Sequence, residues 1–158
     1  MSENIKKLIV SIIICQLAGI IGGLFTSQTI PTWYQTIKKP AFTPPNWIFG
    51  PVWTLLYLLM GIALYLVWKS AAPGKAKALA VFFFFAQLAL NVLWSFLFFF
   101  LKNPLAGFID IIVLWISILV TILLFYPLSK VGSLLLVPYI LWVTFASVLN
   151  YFLWQLNR

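Results

Sequence analysis

The chain has one long polar segment, WYQTIKKPAFTPPNW at residues 33–47, and it interrupts an otherwise apolar sequence. The segment combines aromatic side chains with two lysines and three prolines. Proline fixes φ and removes a backbone N–H, so such a loop loses little entropy on ordering. Tryptophan and tyrosine favour the membrane interface, whereas a flexible linker is rich in glycine and serine. The composition therefore predicts a structured loop that caps a cavity.

The composition on either side of this loop is that of an integral membrane protein. Of 158 residues, 64% are hydrophobic and only 8% are charged, far from the usage of soluble domains. Because a spanning helix needs about 20 apolar residues, the chain has room for five spans in a single domain. The predicted spans are 8–25, 47–68, 79–101, 105–126 and 134–154, with the capping loop at 26–46. Lys6 and Lys7 before an apolar stretch also fit a signal peptide, but we expect this stretch to be retained as the first span.

The breaks between the later spans are short and have turn-forming compositions, at 72–77, 102–104 and 127–133. Short connections predict antiparallel neighbouring helices. The apolar runs are continuous rather than alternating, which excludes an outer-membrane barrel. The sequence thus predicts an all-α bundle of five transmembrane helices.

The formal net charge of +8 does not indicate a nucleic-acid-binding protein. The lysines stand singly or in pairs at the ends of apolar segments, where contact with membrane lipids explains them. Their distribution weakly favours a cytoplasmic N-terminus. We expect a multi-pass protein of a bacterial cell membrane with no nucleic-acid partner.

The residues that most enzymes use are missing. The chain has no histidine, and its only acidic residues are Glu3 and Asp110. This excludes a Ser-His-Asp or Cys-His unit, a catalytic carboxylate pair and a zinc or di-iron site. No metal site is predicted, and the usual axial histidine of a haem is absent. We expect Asp110 to pair with a neighbouring polar group or with the backbone.

The third span has a polar stripe at helical spacing. Gln87, Asn91 and Ser95 follow one another at intervals of four, with Trp94 beside them. Polar side chains at this depth face either a partner helix or a cavity, because lipid cannot satisfy them. The stripe therefore indicates either hydrogen bonds between helices or the polar wall of a ligand pocket.

Two other spans have aromatic stripes that lie too deep for an interfacial belt. The second has Trp53, Tyr57 and Met60 on one face, and the fifth has Trp142, Ala146 and Asn150. Small residues of the first span, at positions 18, 19, 22 and 23, allow close helix packing. Pro138 predicts a kink or a break in the fifth span.

Several blocks, in the same order, resemble the TspO/translocator family of tryptophan-rich sensory proteins, which includes the peripheral-type benzodiazepine receptor. The first loop matches in Trp33-Tyr34, Lys39-Pro40 and Thr43-Pro44-Pro45. The spans match in Pro51-Val52-Trp53, Gln87-Leu88-Ala89-Leu90-Asn91 with Trp94, Asp110, Pro138-Tyr139, Leu141-Trp142 and Leu149-Asn150-Tyr151. The resemblance covers nearly the whole chain.

The resemblance implies a five-helix bundle that forms a homodimer and needs no cofactor. It implies a pocket for protoporphyrin IX or related tetrapyrroles, and for synthetic isoquinoline-carboxamide and benzodiazepine ligands. With Gln87 added from the polar stripe, the predicted ligand-binding residues are Tyr34, Trp47, Trp53, Tyr57, Gln87, Asn91, Ser95, Trp142 and Ala146. Trp53 and Trp142 match tryptophans implicated in the light-dependent degradation of porphyrin by some members.

The chain departs from the family at two places. Phe42 stands where the loop usually has a second tryptophan, and the C-terminal cholesterol motif of the animal proteins is not matched by Phe152 and Gln155. We therefore expect a microbial member. A membrane receptor or sensor is the preferred function, and a light- and oxygen-dependent porphyrin-degrading enzyme is the alternative. A porphyrin or lipid transporter ranks third, because the inverted repeats of transporters are absent.

Overall fold

The computed structural model describes residues 1–158, and every regular element in it is helical. Five helical stretches are long and apolar enough to cross a membrane, which confirms the predicted all-α membrane fold. The helices are α1 (Glu3–Thr29), α2 (Asn46–Trp68), α3 (Gly74–Ser95), α4 (Pro104–Phe125), α5 (Lys130–Leu134) and α6 (Val137–Leu156). Single π-helical turns extend α1 over Ile30–Tyr34 and α3 over Phe96–Phe100.

The first helix is longer than the predicted span 8–25 at both ends. It begins early because Ser2 caps it, with the hydroxyl accepting a hydrogen bond of 3.4 Å from the Ile5 N–H. It continues because the hydroxyls of Thr26, Thr29 and Thr32 each donate to the carbonyl oxygen four residues earlier, which keeps these polar residues helical. The capping loop is therefore 35–45 rather than 26–46.

The remaining helices follow the predicted spans with shifted ends. The third begins at Gly74 instead of residue 79, since the lysines of its first turn are helical although they are not apolar. The last span is interrupted after α5, and Pro138 lies in the first turn of α6. Proline is tolerated there because the first-turn N–H groups have no partner inside the helix. The break predicted from Pro138 is present.

Small residues set the distances between helices, and α1 packs against both α2 and α3. At Gly61 of α2, a Cβ atom would lie 2.7 Å from the Cα of Ile12 in α1, so only glycine permits this approach. Gly19 meets the ring of Tyr57, and Gly22 meets the hydroxyl of Ser95. These small residues of α1 therefore serve packing within the chain.

One sequence expectation was wrong at Asp110. Its side chain is buried at 6% exposure, but Oδ2 has no hydrogen-bond partner, so the expected pairing is missing there. Its carboxyl group lies at a groove between α3 and α4 whose other side chains are apolar, among them Leu90, Leu97 and Val113. The surroundings of Asp110 offer it no donor.

Candidate ligand cavity

A cavity of about 390 Å³ lies inside the half of the bundle nearest the 35–45 loop. Its walls come from α1, α2, α3 and α6 and from the two π-helical turns. This volume is within the range of small-molecule sites, about 300–1,000 Å³. Its lining is mainly apolar and aromatic, with a few amide and hydroxyl groups.

The structure brings most of the predicted site residues together. The wall of the cavity includes Tyr34, Trp53, Tyr57, Asn91, Ser95, Trp142 and Ala146. These residues come from three helices and the π-helical turn after α1, so the helical stripes predicted from sequence meet at one place. Their role in binding stays a prediction.

Two predicted residues lie elsewhere. Trp47 is 73% exposed on the outside of α2 and does not line the cavity. Phe49, two residues later, takes the inward position and lies 6.2 Å from Trp142 between ring centroids. Gln87 is 1% exposed and lies one helical turn below Asn91, in the core beneath the cavity.

The sequence reasoning missed the side of the cavity formed by α1, together with residues of α2, of the two π-helical turns and of α6. The α1 side mixes glycines with single polar and aliphatic side chains, so it has no polar or aromatic stripe. Its signal was the glycine run itself, which leaves room for a ligand as well as for packing. Trp94 and Asn150, noted from the stripes of α3 and α6, also line the cavity. The missed residues are Gln16, Gly19, Ile20, Gly22, Gly23, Thr26, Ser27, Ile30, Asn46, Phe49, Gly50, Thr54, Phe98, Phe99, Leu149 and Leu153.

Two groups of aromatic rings lie at the cavity, one around Trp53 of α2 and one around Trp142 of α6. The ring of Trp53 lies 5.6 Å from that of Tyr57 and 6.2 Å from that of Tyr139. Trp142 lies 5.5 Å from Phe145 on the same side as Phe49. Rings at these spacings stabilise one another and present flat faces to a ligand.

The amide and phenol groups beneath these rings form one hydrogen-bonded chain. Tyr57 Oη donates to Asn91 Oδ1 at 2.9 Å, and Asn91 Nδ2 donates to Tyr139 Oη at 2.6 Å. Tyr139 Oη donates to Gln87 Oε1 at 2.7 Å, and Gln87 Nε2 lies 3.9 Å from the sulfur of Met60. The sequence left two roles open for the polar stripe, hydrogen bonding between helices or lining a cavity. Asn91 has both roles, Gln87 only hydrogen-bonds to other helices, and Ser95 lines the cavity.

A second polar contact fixes the indole of Trp94. Its Nε1 donates to Asn150 Oδ1 at 2.9 Å, and Asn150 Nδ2 donates to the Pro104 carbonyl at 2.8 Å. The Trp94 ring is also stacked on Phe98, with centroids 5.3 Å apart. Asn150 thereby joins α3, α4 and α6 at the edge of the cavity.

The 35–45 loop is attached to the end of α6. Asn157 Oδ1 accepts a hydrogen bond of 2.9 Å from the Lys38 N–H, and Asn157 Nδ2 donates to the Lys38 carbonyl at 2.9 Å. Phe42 packs edge-to-face on Phe152, with centroids 5.5 Å apart. Lys39 Nζ lies 4.7 Å from the ring centre of Tyr34, which lines the cavity. The loop therefore has a defined position over the bundle, as its composition predicted.

The TspO/MBR family pattern matches residues 11–155, nearly the whole chain. The chain belongs to this family. It is 51% identical over 154 residues to the tryptophan-rich protein TspO of Archaeoglobus fulgidus, covering 98% of this chain and 99% of the relative. It is 37% identical over 143 residues to the protein CrtK of Rhodobacter capsulatus, covering 90% of this chain and 88% of that one. The human translocator protein is 34% identical over 143 residues, 90% of this chain and 85% of its own length.

These relatives confirm the family resemblance and the membrane localisation. The chain is a multi-pass integral membrane protein of a family whose members include a tryptophan-rich sensory protein of Cereibacter sphaeroides. Relatives from an archaeon and a bacterium, at 51% and 44% identity, agree with the expected microbial origin.

Proposed function

We propose that this protein is a membrane receptor or sensor that binds a tetrapyrrole of the protoporphyrin class in the cavity described above. The observation that carries the proposal is the aromatic surface formed at the cavity by Trp53, Tyr57 and Trp142. A porphyrin is a broad apolar disc with two carboxylates on one edge. Its faces match flat rings and its edge needs polar or cationic groups.

The lysines of the loop supply cations near the roof of the cavity. Lys39 lies over Tyr34, and Lys38 precedes it in the loop that is fixed to α6. A propionate that reached them would form an exposed ion pair, worth about 1 kcal/mol or less. The stacking rings therefore carry most of the affinity, each pair adding about 0.5–1.5 kcal/mol beyond area burial.

Tryptophan-fluorescence quenching by protoporphyrin IX in the dark tests this proposal. We expect saturable quenching by the wild-type protein in lipid nanodiscs. Trp53→Leu should weaken the Kd by about tenfold, because one stacking ring and its buried area are lost. Trp68→Leu is the matched control, since that ring lies at the other end of α2, outside the cavity. No saturation by the wild type would refute tetrapyrrole binding.

Synthetic ligands of the isoquinoline-carboxamide and benzodiazepine types are proposed to occupy the same cavity. They are flat, apolar and carry one or two acceptors, so they have the same complementarity to the aromatic surface. Binding of a synthetic ligand and of protoporphyrin should be mutually exclusive, so a saturating concentration of one should displace the other completely. Simultaneous binding of both would place the two ligands at separate sites.

A light-dependent degradation of porphyrin is the second candidate, favoured by the position of Trp53. Trp53 lies on the cavity wall within 6.2 Å of two tyrosine rings, so a ligand stacked there would have an oxidisable ring close to it. Under light and oxygen, we expect the porphyrin absorbance to decay faster with protein than with empty nanodiscs. Trp53→Phe and Trp142→Phe should slow this decay while dark binding survives. Decay at the wild-type rate in both variants would exclude this mechanism.

A further inference from the structure

The two helices that border the cavity on one side separate towards the loop. Near the opposite end, α1 and α2 are in close contact where Gly61 meets Ile12. Further along, Gln16 Nε2 donates to the Thr54 carbonyl at 3.2 Å, and Gly19 packs against the ring of Tyr57. Gln16 and Thr54 both line the cavity, so this hydrogen bond joins the two helices at its wall.

Beyond it, each helix presents a glycine with free space beside it. A Cβ atom added to Gly23 or to Gly50 would meet nothing within 4 Å, although both residues line the cavity. At Gly19, in contrast, an added Cβ would lie 2.6 Å from the Tyr57 ring. Gly23 on α1 and Gly50 on α2 therefore leave open space at the cavity, called the gap below, while Gly19 serves packing.

The gap faces the apolar exterior of the bundle. Ile20 and Leu24 are close in sequence to Gly23 on α1 and are exposed, and Leu55 on α2 is exposed as well. On a membrane protein such exposed aliphatic side chains contact lipid chains. The gap therefore opens onto the bilayer rather than onto water.

The other possible route, through the loop, is closed by the contacts already described. Lys38 is held by two hydrogen bonds to Asn157, and Phe42 packs on Phe145 and Phe152 of α6. Opening the roof would break all of these contacts.

Uncharged polar groups lie around the gap on both helices. The cavity lining includes the side chains of Thr26 and Ser27 on α1 and of Asn46 on α2, close to Gly23 and Gly50. Such groups can hydrogen-bond a polar edge of a ligand without the cost of burying a charge. They favour an amphiphile whose flat apolar body lies inside while its polar edge remains at the gap.

We propose that the ligand reaches the cavity sideways from the bilayer, between α1 and α2, and that Gly23 and Gly50 determine the width of this opening. The ligand class is a flat apolar molecule with a polar edge that dissolves in the membrane. This inference rests on the proposed tetrapyrrole binding, with protoporphyrin IX as the probe.

Stopped-flow tryptophan quenching in nanodiscs tests the route with Gly23→Phe and Gly50→Phe. A Cβ atom has free space at both positions, so each ring should obstruct the gap, and thermal unfolding of each variant checks that the fold is retained. Obstruction slows passage in both directions, so we expect kon to fall by about tenfold and koff to fall as well, whereas loss of cavity volume alone would raise koff. Gly74→Phe is the matched control, because Gly74 also has free space but lies at the start of α3. Asn157→Ala frees the loop and should leave kon unchanged.

Three results would overturn the inference. Unchanged rates in both phenylalanine variants would mean that the gap is not used. A weaker Kd with an unchanged kon would make the two glycines part of the cavity wall only. A rise in kon on freeing the loop with Asn157→Ala would make the roof the route. Failure of tetrapyrrole binding is distinguishable from all of these, because the wild type would then show no saturable quenching.

Discussion

The phenol of Tyr57 and the side-chain amide of Asn91 are joined by a hydrogen bond of 2.9 Å at the floor of the cavity. Both residues line the cavity, yet their polar atoms point to each other and onward to Tyr139. These two residues therefore belong both to the wall of the cavity and to the hydrogen-bonded core beneath it.

The first prediction concerns Tyr139, the next residue in this series of buried hydrogen bonds. Tyr139→Phe should destabilise the protein by about 1–3 kcal/mol, because it leaves Gln87 Oε1 and Asn91 Nδ2 buried without a partner. Thermal unfolding in a mild detergent measures this. Tyr126→Phe is the control, since that phenol is exposed and forms no hydrogen bond with the chain. Equal stability of the two variants would show that the hydrogen bonds of Tyr139 contribute nothing to the free energy of unfolding.

The second prediction separates packing glycines from open ones. Gly61→Ala should destabilise by about 1–3 kcal/mol, because the added methyl group forces α1 away from α2 at Ile12. Gly23→Ala should be neutral or stabilising, since alanine is the better helix former and the space there is free. Unfolding curves of the two variants give the comparison. A Gly61→Ala protein as stable as the wild type would contradict the close contact.

The third prediction concerns the loop. Asn157→Ala removes two hydrogen bonds to Lys38, and each such bond contributes about 0.5–1.5 kcal/mol. We expect faster amide hydrogen exchange across residues 35–45 while exchange in the helices is unchanged. Gln155→Ala, two residues earlier on α6, is the control. Unchanged exchange in the loop would mean that ring packing alone holds it.

The fourth prediction tests the volume of the cavity. Ala146→Leu adds side-chain atoms to the wall beside Trp142, and we expect protoporphyrin binding to weaken by about tenfold with unfolding nearly unchanged. Ala71→Leu, in the exposed connection between α2 and α3, is the control. Undiminished affinity would place the ligand away from this part of the wall.

The number and order of the spans could be predicted from sequence because lipid requires continuous apolar helices. Their ends could not be predicted from hydropathy alone. At Thr26, Thr29 and Thr32, hydroxyls bonded to the preceding turn allow the helix to continue through polar sequence. In the 30–34 turn, Pro31 marks an interruption of the regular helix, but it does not indicate that the chain continues with a π-helical turn.

The site was predictable where polar residues, or aromatic residues, repeat at helical spacing. Asn91, Ser95, Trp53 and Tyr57 were found in this way, and they do line the cavity. Trp47 was misplaced because the direction of a first-turn side chain depends on how the loop delivers the chain to the helix. The α1 side of the cavity was missed because a glycine contributes space, which no periodic pattern of side chains records.

The hydrogen-bonded chain at the floor of the cavity also bears on selectivity. Tyr57 Oη and both polar side-chain atoms of Asn91 already form hydrogen bonds within the protein, so they offer a ligand few unsatisfied donors. The floor of the cavity therefore cannot reject a molecule for lacking a particular functional group. Discrimination must then come from thickness and outline, so chemically unrelated flat compounds should compete for one place.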